Sequence, residues 1–369
     1  MVERRVCIYS QRGLSRHVSR CGAFEFEDLI ATQFESADII VPQKGTLSHL
    51  LLKVRNRLSQ KTSHYWLVPA GLKLTRLSHD YDLLFCIVSL SPDLLTIGAL
   101  GDLRARAARA VCWVQELWVN DIAKLGPQLD ILNSFDHVLC TLAGSVDALA
   151  QRLDVPVTYM PWGVDTELFC PYPQELDRVI DVINISRAND TTHNALVSYA
   201  RETGAFYDFP TVTGIYDAFS PAEHRRLYAD RLKRSRYFFA HMAKVARQVE
   251  RGTQEEFGAR YIEGVASGTV VLGDRLSTPG FENNLGWTDS VIEVPYECAS
   301  VASIIEELDS QPERLAEARR RNVLNALRRH DHLHRWEKVL DVAGLPHTDG
   351  MRLRRSRIDE LVAIVESGG

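Results

Sequence analysis

Along the chain, short unbroken runs of apolar, β-branched and aromatic residues alternate with stretches in which apolar positions recur every three or four residues. Continuous apolar runs of about four to eight residues suit strands buried on both faces of a parallel sheet, and the longer spacing suits helices packed across such a sheet. On this basis strands are predicted at residues 5–10, 37–42, 63–68, 83–88, 110–114 and 135–141, and helices at 50–58, 92–108 and 143–153. The stiff segment Cys170-Pro171-Tyr172-Pro173 follows, and the alternation then resumes. Its second half predicts strands at 179–186, 237–240, 269–272 and 290–294, helices at 299–308, 312–327 and 333–342, and a polar loop at 279–284. Such alternation predicts an α/β chain of two doubly wound, Rossmann-like domains facing each other across a cleft.

One stretch stands out chemically. Glu255 and Glu263 lie eight residues apart, Phe257-Gly258 between them reads as a tight loop, and Ala259, Ile262, Val265 and Ala266 fall at helical spacing before a buried strand. A helix that starts at such a loop points its first amides at the crevice along the strand ends, where they favour an anion.

The embedded Phe-Gly and the following Ala-Ser-Gly-x-Val-Val make this stretch resemble the signature of glycosyltransferase group 1, a family of retaining enzymes with the GT-B fold. Glu256 stands where the family usually has glycine, and Val270 where it has proline. A second likeness lies in Pro161, Gly163, Val164, Asp165 and Phe169, which match the pattern closing the family's first domain. The resemblance implies an N-terminal acceptor-binding domain over residues 1–170, a nucleotide-sugar-binding domain over 171–345 and a tail over 346–369. It also implies that Glu263 accepts hydrogen bonds from the donor's ribose, that Glu255 binds the donor sugar, and that the amides of Phe257 and Gly258 support the phosphate or sugar. Arg187 would hold the diphosphate, so Glu255 and Arg187 are the catalytic candidates. Where the family places a lysine after that arginine, this chain has Thr192 and His193; His193, Lys244 and Arg247 are the candidates for the missing cation.

On the acceptor side, the loop after the first strand carries Arg12, Arg16 and Arg20, suited to an anion or to solvent, and Gln115 and Glu116 end a later strand. The chain has 369 residues, 45% hydrophobic and 25% charged, which describes a soluble globular protein. Its net charge of -5 argues against a general nucleic-acid binder. No apolar run approaches the roughly 18 residues of a membrane span, and the start leads into a strand and not a signal peptide, so a cytoplasmic protein is expected. The tail carries Arg352, Arg354, Arg355 and Arg357 beside an apolar stripe; it either packs within the molecule or touches an anionic membrane or another subunit. The seven cysteines form no CxxC pair and read as buried reduced thiols. His330, His332 and His334 read as a surface helix junction, and no metal or cofactor is expected. The resulting expectation is metal-independent, retaining transfer of a sugar from a nucleotide sugar to the hydroxyl of a carbohydrate, lipid-linked or small-molecule acceptor. Two alternatives stay open: a sugar-nucleotide-binding GT-B protein without transfer activity, and a GT-B nucleotide-sugar epimerase.

Overall fold

The computed structural model describes residues 4–43, 72–73, 75–101, 105–174, 176–185, 189–211 and 217–368. The helix expected at 50–58, the strand expected at 63–68 and Arg187 lie outside these residues. The chain divides into two compact units. The first comprises Met1–Pro161, Tyr216–Ala222 and Arg335–Arg352, and the second Trp162–Ile215, Glu223–His334 and Leu353–Gly369.

The first unit is built on a parallel sheet of six strands in the order β2-β1-β3-β4-β5-β6. These strands are β1 (Val6–Tyr9), β2 (Ala37–Ile40), β3 (Tyr81–Leu90), β4 (Ala107–Glu116), β5 (His137–Cys140) and β6 (Val157–Tyr159). Helices α1 (Cys21–Leu29) and α2 (Val146–Arg152) belong to this unit. Phe26 of α1 packs edge-on against Phe85, Trp113 and Trp336, so an aromatic cluster anchors the late chain to the sheet. The helix expected at 92–108 shrinks to Leu94–Ile97, because Gly98 ends it and the residues from Ala107 onward pair with β3 through Tyr81↔Ala107 and Leu83↔Arg109. Strand pairing there outweighs local helical spacing.

The second unit carries a five-stranded parallel sheet in the order β11-β10-β9-β7-β8. Its strands are β7 (Ile180–Ile183), β8 (Tyr207–Asp208), β9 (Ser235–Ala240), β10 (Val270–Gly273) and β11 (Ile292–Glu293). The later helices are α3 (Asp190–Thr203), α4 (Pro221–Lys233), α5 (Ala259–Ala266), α6 (Pro279–Leu285), α7 (Val301–Asp309), α8 (Pro312–Arg329), α9 (His332–Ala343) and α10 (Asp349–Glu366). Helix α6 replaces the polar loop expected at 279–284: Thr278 accepts a bond from the Phe281 amide at 3.3 Å, and Pro279 occupies the first turn, where its missing N–H costs nothing.

The histidine group is likewise not at the surface, since His330 and His332 are 1% and 2% exposed and His330 Nε2 lies 2.9 Å from the Asn284 carbonyl. Among the described residues no group of three or more His, Cys, Asp or Glu is placed to hold a metal ion, and no helix is long and apolar enough to cross a membrane. All seven cysteines are buried thiols outside any disulfide.

The tail forms α10, in which Arg354 alone of the four arginines turns fully inward and Arg352 stays exposed. Arg354 is fully buried; its Nη2 donates at 2.6 Å both to Asp165 and to Asp331, and its Nε reaches Asp331 at 3.2 Å. Thr166 donates to Asp331 from its amide at 3.0 Å and from its hydroxyl at 2.6 Å. Burial pushes the Asp331 carboxyl up, but the Arg354 charge and these donors outweigh it and hold the group far below the usual carboxylate range. A depressed carboxylate contributes stability above its unfolded value of about 4 and loses it as pH falls toward the folded value. Replacing one partner of such a buried pair costs about 3–5 kcal/mol. Arg354→Met is therefore expected to lower the urea midpoint strongly at pH 7 and to lose less at pH 3, where part of the Asp331 contribution is already gone in the wild type; an unchanged midpoint at pH 7 would refute this.

Candidate active site

In an open parallel sheet, ligands gather outside the carboxyl ends of the strands at the point where strand order reverses. In the second unit the chain passes from β7 to β8 on one side and then to β9 on the other, so the reversal lies between β7 and β9. In the first unit it lies between β1 and β3.

Helix α5 carries the second glutamate of the sequence stretch. Gly258 is its N-cap in an extended conformation and supplies no side-chain cap, and Phe257 just before it is buried edge-on to Tyr261 and Phe281. Glu263, only 6% exposed, is held on both oxygens: Arg225 of α4 donates to Oε1, and the Tyr228 hydroxyl donates to Oε2 at 2.9 Å. The Arg225 guanidinium is itself buried, 4.7 Å from the Phe169 ring centre and 5.5 Å from that of Tyr228. Burial, then the adjacent Glu263 charge, raise the Tyr228 hydroxyl well above its ordinary value and keep it a donor. Each carboxylate oxygen has two acceptor positions, so one on each remains for a further donor. Glu255 is exposed on the extended segment before α5, whereas Glu256 is buried, with its side chain accepting from Gln254 at 2.8 Å and its carbonyl from the Ala243 amide at 2.8 Å.

Arg225 and Tyr228 are absent from the sequence expectations. Helix α4 is polar overall, but its buried residues Arg225, Tyr228, Ala229 and Leu232 fall at i, i+3, i+4 and i+7, and that spacing is the signal that marks its inner face.

The three candidate cations divide differently from the expectation. Lys244 Nζ lies 3.4 Å and Arg247 Nη1 3.3 Å from the same carboxylate, Glu250. Slight burial works against ionisation of Glu250, but the Lys244 hydrogen bond and the Arg247 charge hold its carboxyl below the usual value. His193 sits in an aromatic group, with its ring 4.7 Å from Phe209 and Nδ1 3.1 Å from the Tyr207 hydroxyl. Arg260, one residue into α5, is exposed and near enough to Tyr228 to act on it electrostatically.

On the acceptor side, Arg12 is tied to α1: its Nε lies 2.9 Å from Glu27, Nη2 lies 2.8 Å from Asp28, and Nη2 also donates to the Phe24 carbonyl. Arg20 grips Asp93 with two bonds of 2.7 and 2.8 Å, both residues being buried. Arg16 differs from both. Its head is exposed 5.9 Å from the Phe219 ring centre, beside a hollow of about 330 Å³ lined by Gly13, Leu14, Ser15, Arg16 and Asp217. Gln115 is buried and accepts from the Ser89 hydroxyl at 3.0 Å, and Glu116, the last residue of β4, is half-buried.

Comparison with known proteins places this geometry. Residues 204–341, from β8 into α9, match the family described as Glycosyl transferase-like. No curated protein sequence matches the chain. Among solved structures the chain is similar to an alpha-glucosyltransferase in complex with UDP and a 13-mer DNA containing a central A:G mismatch, at 14% identity and a TM-score of 0.55, covering 92% of this chain and 99% of that one. The alpha-glucosyltransferase in complex with UDP and a 13-mer DNA containing a HMU base gives 12% identity and a TM-score of 0.54, covering 93% and 100%. A weaker likeness, with a TM-score of 0.48 at 13% identity over 97% and 99% of the two chains, is to Anabaena Alr3699/HepE in complex with UDP-glucose. The chain thus has the GT-B fold of two Rossmann-like parallel-sheet units, with a glycosyl transferase-like segment over residues 204–341.

Proposed function

We propose that the protein is a metal-independent retaining glycosyltransferase that moves a sugar from a nucleotide-sugar donor to an acceptor hydroxyl. The observation that carries this reading is the fixed Glu263 carboxylate inside the glycosyl transferase-like segment, with one acceptor position left on each oxygen. Those positions match a ribose diol. Glu255, exposed before α5, binds hydroxyls of the donor sugar; the amides at Phe257 and Gly258, with no side-chain cap to satisfy them, take the phosphate or sugar, and Arg187 takes the diphosphate. Stabilising the departing diphosphate is then the work of fixed charge and oriented amides. Retention on one face of the sugar requires no separate nucleophile, the departing phosphate oxygen helping to deprotonate the acceptor. UDP is the first nucleotide to try, because the similar structures contain it. Those structures also contain DNA, but the net charge of -5 favours a carbohydrate, lipid-linked or small hydroxyl acceptor for this chain. Buried thiols outside any disulfide suit a reducing cytoplasmic compartment. Arg16, beside its polar hollow, is the acceptor-side group we favour over Arg12, which is spent on α1.

A second reading, nucleotide-sugar binding without transfer, draws on Glu250, which already engages both Lys244 and Arg247. Product analysis separates the two.

Thermal unfolding with UDP, GDP, ADP and TDP tests the donor site, since a ligand at a hundred times its Kd stabilises by about 2.7 kcal/mol. One nucleotide is expected to raise the wild-type midpoint and to leave Glu263→Ala unmoved; no shift with any of them would overturn the reading. With that nucleotide's sugar as donor, Glu255→Ala is expected to lower turnover roughly tenfold or more, the equivalent of a charged hydrogen bond worth about 1.5–3 kcal/mol. The anomeric configuration of the product, read by NMR, should equal that of the donor, and inversion would remove the retaining assignment. Arg225→Met, which leaves Glu263 buried without its ion partner, is expected to cost about 3–5 kcal/mol in urea unfolding, and a cost under about 1 kcal/mol would mean that the pair does not position Glu263.

A further inference from the structure

His241 and Asp274 stand side by side past the ends of β9 and β10, next to the point between β7 and β9 where the second unit's sheet reverses order. Strand β9 ends at Ala240 and β10 at Gly273, and the two strands pair Ala240 with Gly273, so the residues that follow each emerge at one level. The close pass depends on glycine: Gly273 has φ 157°, and a Cβ there would fall 1.9 Å from the Ala240 carbonyl oxygen. His241 Nδ1 lies 3.2 Å from Asp274 Oδ2, and its side chain is 6% exposed. The ring stacks near Phe239 at 6.1 Å and meets Tyr296 edge-on at 5.1 Å. Asp274 is braced in turn: the Met242 amide donates to its Oδ2 at 2.9 Å, and the Tyr261 hydroxyl donates to its carbonyl at 3.0 Å. Burial acts to raise the Asp274 carboxyl, but His241 and the Met242 amide outweigh it and hold the group below its ordinary value, so it stays an anion at neutral pH.

A carboxylate beside Nδ1 orients the ring and leaves Nε2 as its working atom. Tyr261 belongs to α5 two residues before Glu263, so the same helix carries the brace of this pair and the fixed carboxylate. No role in the proposed function uses His241. Lys244 and Arg247 share Glu250 and His193 lies among aromatic rings, so among the described residues this pair is a further group, beside the Phe257 and Gly258 amides, placed to meet an anion.

We propose that His241, oriented by Asp274, binds the diphosphate of the nucleotide ligand by donating a hydrogen bond from Nε2. This inference rests on the nucleotide-sugar reading and adds a ligand group to it. It separates from that reading because uridine and UDP share the base and ribose and differ in the diphosphate.

Isothermal titration of UDP and of uridine into the wild type, Glu263→Ala, His241→Ala, His241→Gln and Asp274→Asn tests it. A charge-assisted hydrogen bond to phosphate predicts a loss of about tenfold to a hundredfold in UDP affinity for His241→Ala, with uridine affinity unchanged. His241→Gln, which keeps a neutral donor near the same place, should recover part of the loss, and Asp274→Asn should fall between wild type and His241→Ala. UDP affinity within twofold of wild type in His241→Ala, while Glu263→Ala loses it, overturns this inference alone. Equal losses for UDP and uridine also overturn it, since they would show a general distortion of the strand ends. Absence of binding of either ligand to the wild type overturns both this inference and the donor-site reading.

Discussion

A charge taken out of water must meet its opposite in good geometry, and three such meetings set the positions of this protein's working parts. In the first unit Arg20 and Asp93 join the segment after β1 to the one after β3, the two strands flanking the point where that sheet reverses. In the second, Arg225 joins α4 to Glu263 of α5, and Arg354 joins α10 to Asp331 and Asp165. Each pair links elements far apart in sequence, so the cost of breaking it falls on the tertiary arrangement and not on a single helix.

The same constraint gives the Glu263 carboxylate its character. A glutamate on an exposed helix face would swing among rotamers and lose entropy on binding; Glu263 has already lost it, because two donors hold its oxygens. Its depth is set from behind. A side chain at Gly264 would come within 2.7 Å of Val271 and 2.9 Å of Phe238, so α5 lies close on β9 and β10 only because that position is glycine. Glu255, exposed before α5, stands outside this frame.

The architecture was legible because buried parallel strands leave unbroken apolar runs, as in β3, β4 and β9, and because the Phe-Gly and Val-Val punctuation around Glu263 marks a loop, helix and strand in order. Legibility failed where partners distant in sequence decide the outcome. The pairing of β3 with residues 107–109 shortened an expected helix, and a threonine cap with a following proline turned an expected loop into α6. Arg12 and Arg20 resemble exposed loop cations until Glu27 and Asp93 are seen beside them, and nothing in their local sequence distinguishes them from Arg16. Arg225 shows the converse: a charged residue on a polar helix whose importance appears only when Glu263 is placed against it.

The last 35 residues also weave between the two units. Residues 335–352 belong with the first and 353–369 with the second, and 216–222 is a short loan in the same direction as the former. The gene is therefore not modular in the way the fold is. A stretch of the second unit ending near residue 345 would carry Asp331 without Arg354 and leave an orphaned charge in a dry interior. Any transplant of the second unit must therefore take residues 353–369 along with it, as a separate piece of chain.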